Sequence, residues 1–301
     1  MSLKTIRHSG SLLIVYAAIL WALDGIIRRS LFVLPPVTIV FFEHLIGSLL
    51  LLPFTWRALT QIKITKRVLL LTVTISLLSG LLGTLWFTTA LLKVNFIAFS
   101  VVFLIQKLQP IFTVLSARIF LKEKISAAYA LWAGVALLAA YFVTFPSGRV
   151  NLGTGAGTII AALFALGAAA AWGSSTALSK LLIKDVGATA ATSMRFVTTT
   201  LISFLAVLLM GKLSTFALVG QTELLRFFVI ALSTGMIGLW IYYKGLTTVR
   251  ASVSTILELV FPLLAIVIDA VMYKTFLLPE QMLAAAVLLF AMYRVTAVAR
   301  E

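Results

Sequence analysis

The chain of 301 residues has no cysteine, only 9 acidic residues, 2 histidines and 11% charged residues in all. Without cysteine there is no disulfide framework, no thiolate metal site and no thiol nucleophile. A soluble domain shows water roughly 25% charged residues, and this chain has less than half of that. The sequence also lacks a glycine-rich phosphate loop, a His/Glu metal motif on a helix and a serine elbow, so no catalytic site, no cofactor and no ATP-driven step is expected from it.

What is plentiful is apolar: 62% of the residues are hydrophobic and the mean hydropathy is +1.14. Apolar runs fall near residues 12–29, 37–54, 68–92, 96–120, 127–144, 156–181, 189–209, 227–248, 253–273 and 281–298. Each is long enough to cross a hydrocarbon layer of about 30 Å. The runs are continuous and lack the alternation of a barrel strand, and a backbone in lipid must satisfy its own hydrogen bonds, so they are read as helices. The expected fold is an all-α integral membrane protein with ten transmembrane helices.

The net charge of +15 sits in short loops between these runs, where it reads as a topology signal and a contact to anionic lipid headgroups, with no nucleic-acid partner. With the N-terminus inside, fifteen of the 24 Lys and Arg residues fall on the cytoplasmic side and seven on the other, which favours both termini in the cytoplasm and a place in the cytoplasmic (inner) membrane. Lys4 and Arg7 ahead of the first apolar run have the outline of a signal peptide, but the run is helix-length and is expected to be retained.

The sequence repeats itself. Trp21 matches Trp172 at an offset of 151, Arg28 matches Lys180 and Pro110 matches Pro262 at 152, and Trp86 matches Trp240 at 154. This divides the chain into halves 1–150 and 151–301 of five spans each. An odd number of spans turns the second half over, giving inverted repeats, an architecture of secondary transporters whose substrate site lies at the repeat interface.

With Trp21-Ala22-Leu23-Asp24 and Trp172-Gly173-Ser174-Ser175 opening the halves, Gln109-Pro110-Ile111-Phe112 followed by Leu121-Lys122-Glu123-Lys124, and Glu258-Leu259-Val260-Phe261-Pro262, the chain resembles the drug/metabolite transporter superfamily, specifically the EamA-type ten-helix permeases. The resemblance covers nearly the whole chain. It implies a secondary transporter that moves a small metabolite, such as an amino acid, by alternating access, with export favoured. The acidic turn Lys122-Glu123-Lys124 has no clear counterpart in Tyr273-Lys274-Thr275-Phe276.

Ionisable groups inside spans cost about 2.5–3.5 kcal/mol each on insertion scales, so they mark a bundle interior or a wet cavity. Here they are Asp24, Glu43, His44, Lys107, Arg195 and Glu258, with Asp269 nearer a helix end. Glu43 and Arg195 lie 152 apart, which sets opposite charges at equivalent depths, and Gln106 and Glu258 each sit four residues before the aligned prolines. Glu43, Arg195 and Glu258 are expected to line a central cavity that takes a substrate carboxylate or amine, with a proton or counter-substrate; the plainer alternative is a structural Glu43–Arg195 pair. Asp24 shares a face with Trp21 and Arg28 and is expected to pair with Arg28. His44 points about 100° from Glu43, so only one of the two need face the cavity. Lys107, one turn before Pro110, is read as neutralising Glu258 or snorkelling. Trp86, Trp240, Tyr242 and Tyr243 are placed to stack on an organic substrate or to face lipid, the tryptophans ranked first because the repeat pairs them, and Trp21 and Trp172 are assigned to the central cavity. Ala161, Ala165, Ala169 and Gly173 recur every fourth residue and allow close helix packing. A channel or a non-transporting membrane protein are the other readings; opposite charges at equivalent positions argue against the ring of like groups a channel filter needs.

Overall fold

The computed structural model describes residues 3–93, 101–150, 157–261, 263, 264, 267 and 278–299. Pro262, Asp269 and Lys274 lie outside the described residues. The helices are α1 (Leu3–Arg29), α2 (Pro36–Thr60), α3 (Lys66–Ile75), α4 (Thr84–Lys93), α5 (Val101–Gln106), α6 (Gln109–Phe120), α7 (Ala127–Thr144), α8 (Thr158–Val186), α9 (Ala188–Leu209), α10 (Gln221–Leu232), α11 (Met236–Leu246), α12 (Ala251–Leu257) and α13 (Pro279–Val298). A π-helical stretch, Ser76–Gly83, joins α3 to α4, and no strand occurs among the described residues.

Seven helical rods are long and apolar enough to cross a membrane: α2, Lys66–Lys93, α7, α8, α9, Gln221–Leu246 and α13; Ser9–Asp24 is a shorter apolar segment. The expected count of ten is therefore not reached among the described residues. The fourth run is split into α5 and α6, and the ninth continues beyond α12 into residues that are only partly described. Helix starts follow local chemistry: the hydroxyls of Thr65 and Ser126 accept the amides of Val68 and Tyr129, and Pro36 and Pro279 occupy first turns, where a missing N–H costs nothing. Gly187, at φ +82°, makes the abrupt turn from α8 to α9.

Apolar side chains such as Phe54, Leu209 and Ile159 point outward and are mostly exposed, while Thr192, Ser203, Ser254 and Thr113 are fully buried. An apolar exterior around a hydroxyl-rich interior is the arrangement of a protein solvated by lipid, and the chain is a multi-pass integral membrane protein.

The two halves meet through their own counterparts. The α2 helix packs along α9, which begins about 152 residues later, and the contacts run antiparallel: Thr38 Oγ1 meets Thr215 Oγ1 at 2.8 Å, Ser48 Oγ meets Thr200 Oγ1 at 3.1 Å, and Ser193 Oγ donates to Thr55 Oγ1 at 2.8 Å. Ser48 and Thr200 are themselves 152 apart, so equivalent positions of the two halves touch each other here. In the same way α7 packs antiparallel on α13, with Gln281 Nε2 donating to the Val143 carbonyl at 3.1 Å and Trp132 against Phe290 at 5.5 Å. The small-residue stripe of α8 is buried against α4, α5 and α6; a Cβ on Gly173 would lie 2.7 Å from the Gln109 carbonyl oxygen, so only glycine permits this approach.

Loop contacts segregate by end. Arg67 Nε pairs with Asp185 at 2.9 Å, and Lys180 Nζ donates to the carbonyls of Leu246 and Val249. Glu123 accepts from the amides of Ala251 at 2.9 Å and Ser252 at 3.1 Å and from the Ser252 hydroxyl at 2.5 Å. At the other end Arg226 donates to the Ser30 carbonyl at 2.8 Å and Ser147 donates to Glu280 at 2.8 Å. Each contact joins loops that the charge bias assigned to one side. The Glu123 turn, which has no sequence counterpart in the second half, thus ties the end of α6 to the start of α12.

Two outcomes follow from this packing. In the naturally cysteine-free chain, Thr55→Cys with Ser193→Cys forms an interhelical disulfide under mild oxidation, whereas Thr55→Cys with Val207→Cys, about 21 Å further along α9 at 1.5 Å per residue, does not; gel mobility after protease nicking reads this. Glu123→Ala lowers the melting temperature in detergent, because hydrogen bonds to a charged acceptor are worth about 1.5–3 kcal/mol each, and Glu123→Gln retains part of the loss.

Candidate functional site

Four rods depart from regular α-helix, and they do so at matching places in the two halves. In the third rod the departure is the π stretch Ser76–Gly83, and in its counterpart it is the break at 233–235 between α10 and α11. In the fourth rod it is the turn at 107–108 between α5 and α6, and in its counterpart the turn at 258–259 after α12. Irregular backbone at membrane depth is tolerated only where it is buried in protein or lines a wet cavity. Ser79, Lys107, Thr234, Gly235, Glu258 and Leu259, all from these interruptions, line a single central cavity of about 290 Å³.

The first helix of each half lays its tryptophan against the interrupted third rod of the other half. Trp172 Nε1 donates to the Ser79 carbonyl at 3.1 Å and its ring packs on Gly83, where a Cβ would come within 2.5 Å of Nε1. Trp21 lies on Gly238, where a Cβ would come within 3.1 Å of its Nε1. Each tryptophan also meets an aromatic ring of the opposite half: Trp21 is 5.0 Å from Tyr242 and Trp172 is 5.2 Å from Phe87. All four rings line the cavity.

Two polar networks make up much of the remaining wall. In one, Arg28 bridges two carboxylates, Nε to Asp24 at 2.5 Å and Nη1 to Glu43 at 2.9 Å, and the other Asp24 oxygen accepts the Thr234 hydroxyl at 2.5 Å. In the other, Glu258 accepts the Tyr242 hydroxyl at 2.5 Å and the Gln109 amide at 3.2 Å, and Gln109 Oε1 accepts the Gln106 amide at 2.8 Å. Arg195 Nη1 donates to the Tyr243 hydroxyl at 3.2 Å, which donates on to Ser179 at 2.8 Å. Thr88 Oγ1, Gln106 Oε1, Arg195 Nε and Thr255 Oγ1 line the cavity, are buried, and have no hydrogen-bond partner among the described residues.

Of the candidate residues, Trp21, Asp24, Glu43, His44, Gln106, Lys107, Trp172, Arg195 and Glu258 come together around this cavity. Trp86 and Trp240 do not line it. The Trp86 ring lies against Gly167, where a Cβ would be 2.8 Å from it, and Trp240 donates to Thr189 at 3.0 Å with Lys244 Nζ 3.8 Å over its ring. Equivalence in the repeat is met in both cases, but the face is wrong. Glu43 pairs with Arg28, and no Glu43–Arg195 bridge forms: the hairpin from α1 to α2 brings the first partner within reach and Arg195 is held by Tyr243. Lys107 makes no ion pair with Glu258 among the described residues. Both Glu43 and His44 line the cavity, where the helix angle required only one of them to; His44 Nδ1 lies 2.8 Å from the Val40 carbonyl, which can only accept, so Nδ1 carries a proton. Sequence reasoning did not single out Phe87, Thr234 or Thr176 as cavity residues. Gln109 was quoted only as part of a motif, and its amide beside the aligned proline was the available signal.

A multi-pass membrane protein whose broken helices enclose a polar hollow between two related halves is the class defined so far. The description of the EamA-like transporter family matches residues 8–145 and, a second time, 159–297. The riboflavin transporter ImpX of Fusobacterium nucleatum subsp. nucleatum is 34% identical over 290 residues, which is 95% of this chain and 97% of that protein. A solved crystal structure superposes with a TM-score of 0.75 at 18% identity, covering 98% of this chain and 99% of its own, a likeness that shows the fold alone. The chain belongs to the EamA-like transporter family, and is a transporter and not an enzyme.

Arg28 is the charge on which the first network closes. Arg28→Met leaves two buried carboxylates unpaired, and breaking a buried pair from one side costs about 3–5 kcal/mol. The expected result is a sharp drop in folded, monodisperse protein by fluorescence-detected size exclusion. Adding Asp24→Asn and Glu43→Gln to Arg28→Met restores most of it.

Proposed function

We propose that the chain is a secondary transporter that carries riboflavin or a closely related flavin through the central cavity by alternating access. The observation that carries this reading is the pair of aromatic couples, Trp21 with Tyr242 and Phe87 with Trp172, each built across the two halves and each facing a cavity that also holds unspent hydrogen-bonding groups. Planar rings offer stacking surface to a planar heteroaromatic substrate, and polar groups on the same wall fix its orientation. An amino acid, the substrate class first expected, has no use for two aromatic couples. The name of the 34% identical relative points the same way.

In this reading the chain forms ten transmembrane helices as two inverted five-helix repeats, residues 1–150 and 151–301, with both termini in the cytoplasm and the chain in the cytoplasmic membrane. The antiparallel counterpart contacts of α2 with α9 and α7 with α13, and the loops that meet only at their own end, support it. Because each aromatic couple spans the halves, rocking one half against the other parts it. The site residues proposed for substrate are Trp21, Trp172, Gln106, Lys107, Arg195 and Glu258; Asp24, Glu43 and His44 are proposed to hold the halves in register and to take up a coupling proton, or to leave that role to a counter-substrate.

Proteoliposomes preloaded with unlabelled riboflavin are expected to accumulate labelled riboflavin transiently and saturably, with efflux assayed separately to read the export direction implied by the resemblance. A channel shows no such counterflow. Trp21→Ala and Trp172→Ala are each expected to weaken riboflavin affinity about 5- to 150-fold, the range that corresponds to about 1–3 kcal/mol of stacking per ring. Absence of riboflavin counterflow by folded protein, with counterflow of an amino acid in its place, refutes the flavin reading.

A further inference from the structure

Resting on the flavin reading above, we propose that the wall made by Gln106, Lys107, Gln109 and Glu258 reads the cyclic imide edge of the flavin ring and thereby sets which ring systems are carried. That edge is an N–H between two carbonyls, an acceptor–donor–acceptor row, and its complement is a donor–acceptor–donor row on the protein.

The wall supplies groups of both kinds. An ionised Glu258 is an acceptor only. Its two oxygens each take one hydrogen bond, from Tyr242 at 2.5 Å and from Gln109 at 3.2 Å, and each keeps a further lone pair. The donors share its wall, Gln109 directly on one Glu258 oxygen and Gln106 one bond further along. Gln109 spends one amide hydrogen on Glu258 and Gln106 spends one on Gln109 at 2.8 Å, so each amide retains a second N–H. The ammonium of Lys107 forms no ion pair or hydrogen bond among the described residues, and it lines the same cavity. These groups sit at the two turns, 107–108 and 258–259, where the fourth rod of one half faces the ninth of the other.

The aromatic surface is attached to this wall. Tyr242, which bonds Glu258 through its hydroxyl, has its ring 5.0 Å from Trp21, so the aromatic couple and the carboxylate adjoin through one residue. The other carboxylates of the cavity are not available for the same task, since Asp24 and Glu43 are both spent on Arg28.

The test compares riboflavin with 3-methylriboflavin, in which the imide N–H is replaced by N–CH3 and the ring is otherwise kept. The full chain in nanodiscs is titrated with each, reading the fluorescence anisotropy of the flavin. Methylation is expected to weaken binding about 10- to 100-fold, the range for a hydrogen bond to a charged acceptor. The contrast between the two flavins is expected to disappear in Glu258→Ala and to persist in Trp240→Phe, whose ring does not line the cavity. Equal affinity of the native chain for the two flavins overturns the imide assignment and leaves flavin transport standing. Failure to bind either flavin, together with absent counterflow, overturns the transport reading beneath it. If Glu258→Ala does not fold, the native chain with the two ligands decides alone.

Discussion

A peptide group inside a bilayer must find its hydrogen bond within the protein, and this single constraint organises the molecule. Intact helices satisfy it without help, which leaves them free to present apolar side chains such as Phe54 and Leu209 to lipid. Where a helix is interrupted the constraint returns. The π stretch Ser76–Gly83 and the turns at 107–108, 233–235 and 258–259 each release backbone groups, and each lies on the same hollow. The cavity and the interruptions are thus two aspects of one arrangement: the broken backbone has to line something polar, and the polar hollow gives the breaks a tolerable place.

On this nearly symmetric scaffold the chemistry is distributed unevenly. The positions equivalent to Asp24, Arg28 and Glu43 are Thr176, Lys180 and Arg195. The first set closes on itself as a carboxylate–guanidinium–carboxylate bridge. The second does not: Lys180 caps the end of α11 through backbone carbonyls, and Arg195 stays at the cavity with Tyr243. Likewise the position equivalent to Gln106 is Glu258, an amide in one half and an acid in the other. A duplicated fold supplies two equivalent walls, and divergence at a few buried positions closes the first set of charges into a bridge and leaves the second unbridged.

Serine and threonine do much of the work of joining the halves. Lipid offers no hydrophobic drive between helices, so packing and short interhelical hydrogen bonds, worth on average about 0.6 kcal/mol each, provide the cohesion. The Ser48–Thr200 contact is of this kind. The contacts along α2 and α9 are weak and similar, whereas the buried charge bridge at Arg28 is costly to open.

The sequence by itself determined the membrane class, the helical rods, the repeat near 152 residues and the short roster of buried ionisable groups, because hydropathy and charge in lipid are matters of composition along the chain. It also named nine of the residues that line the cavity, since a charge or amide in a span has few other places to be. Which way a residue faces was another matter. In these rods the lipid side and the packing side are both apolar, so no periodicity separated Trp86 and Trp240, which pack elsewhere, from Trp21 and Trp172, which face the hollow. Only the tertiary structure decided that Arg28 and not Arg195 would neutralise Glu43, that Tyr242 and Gln109 would hold Glu258, and that four interruptions would converge. Partners within a few ångströms are chosen by which helices abut, and that is settled by the packing of all the rods together and by no stretch of sequence alone.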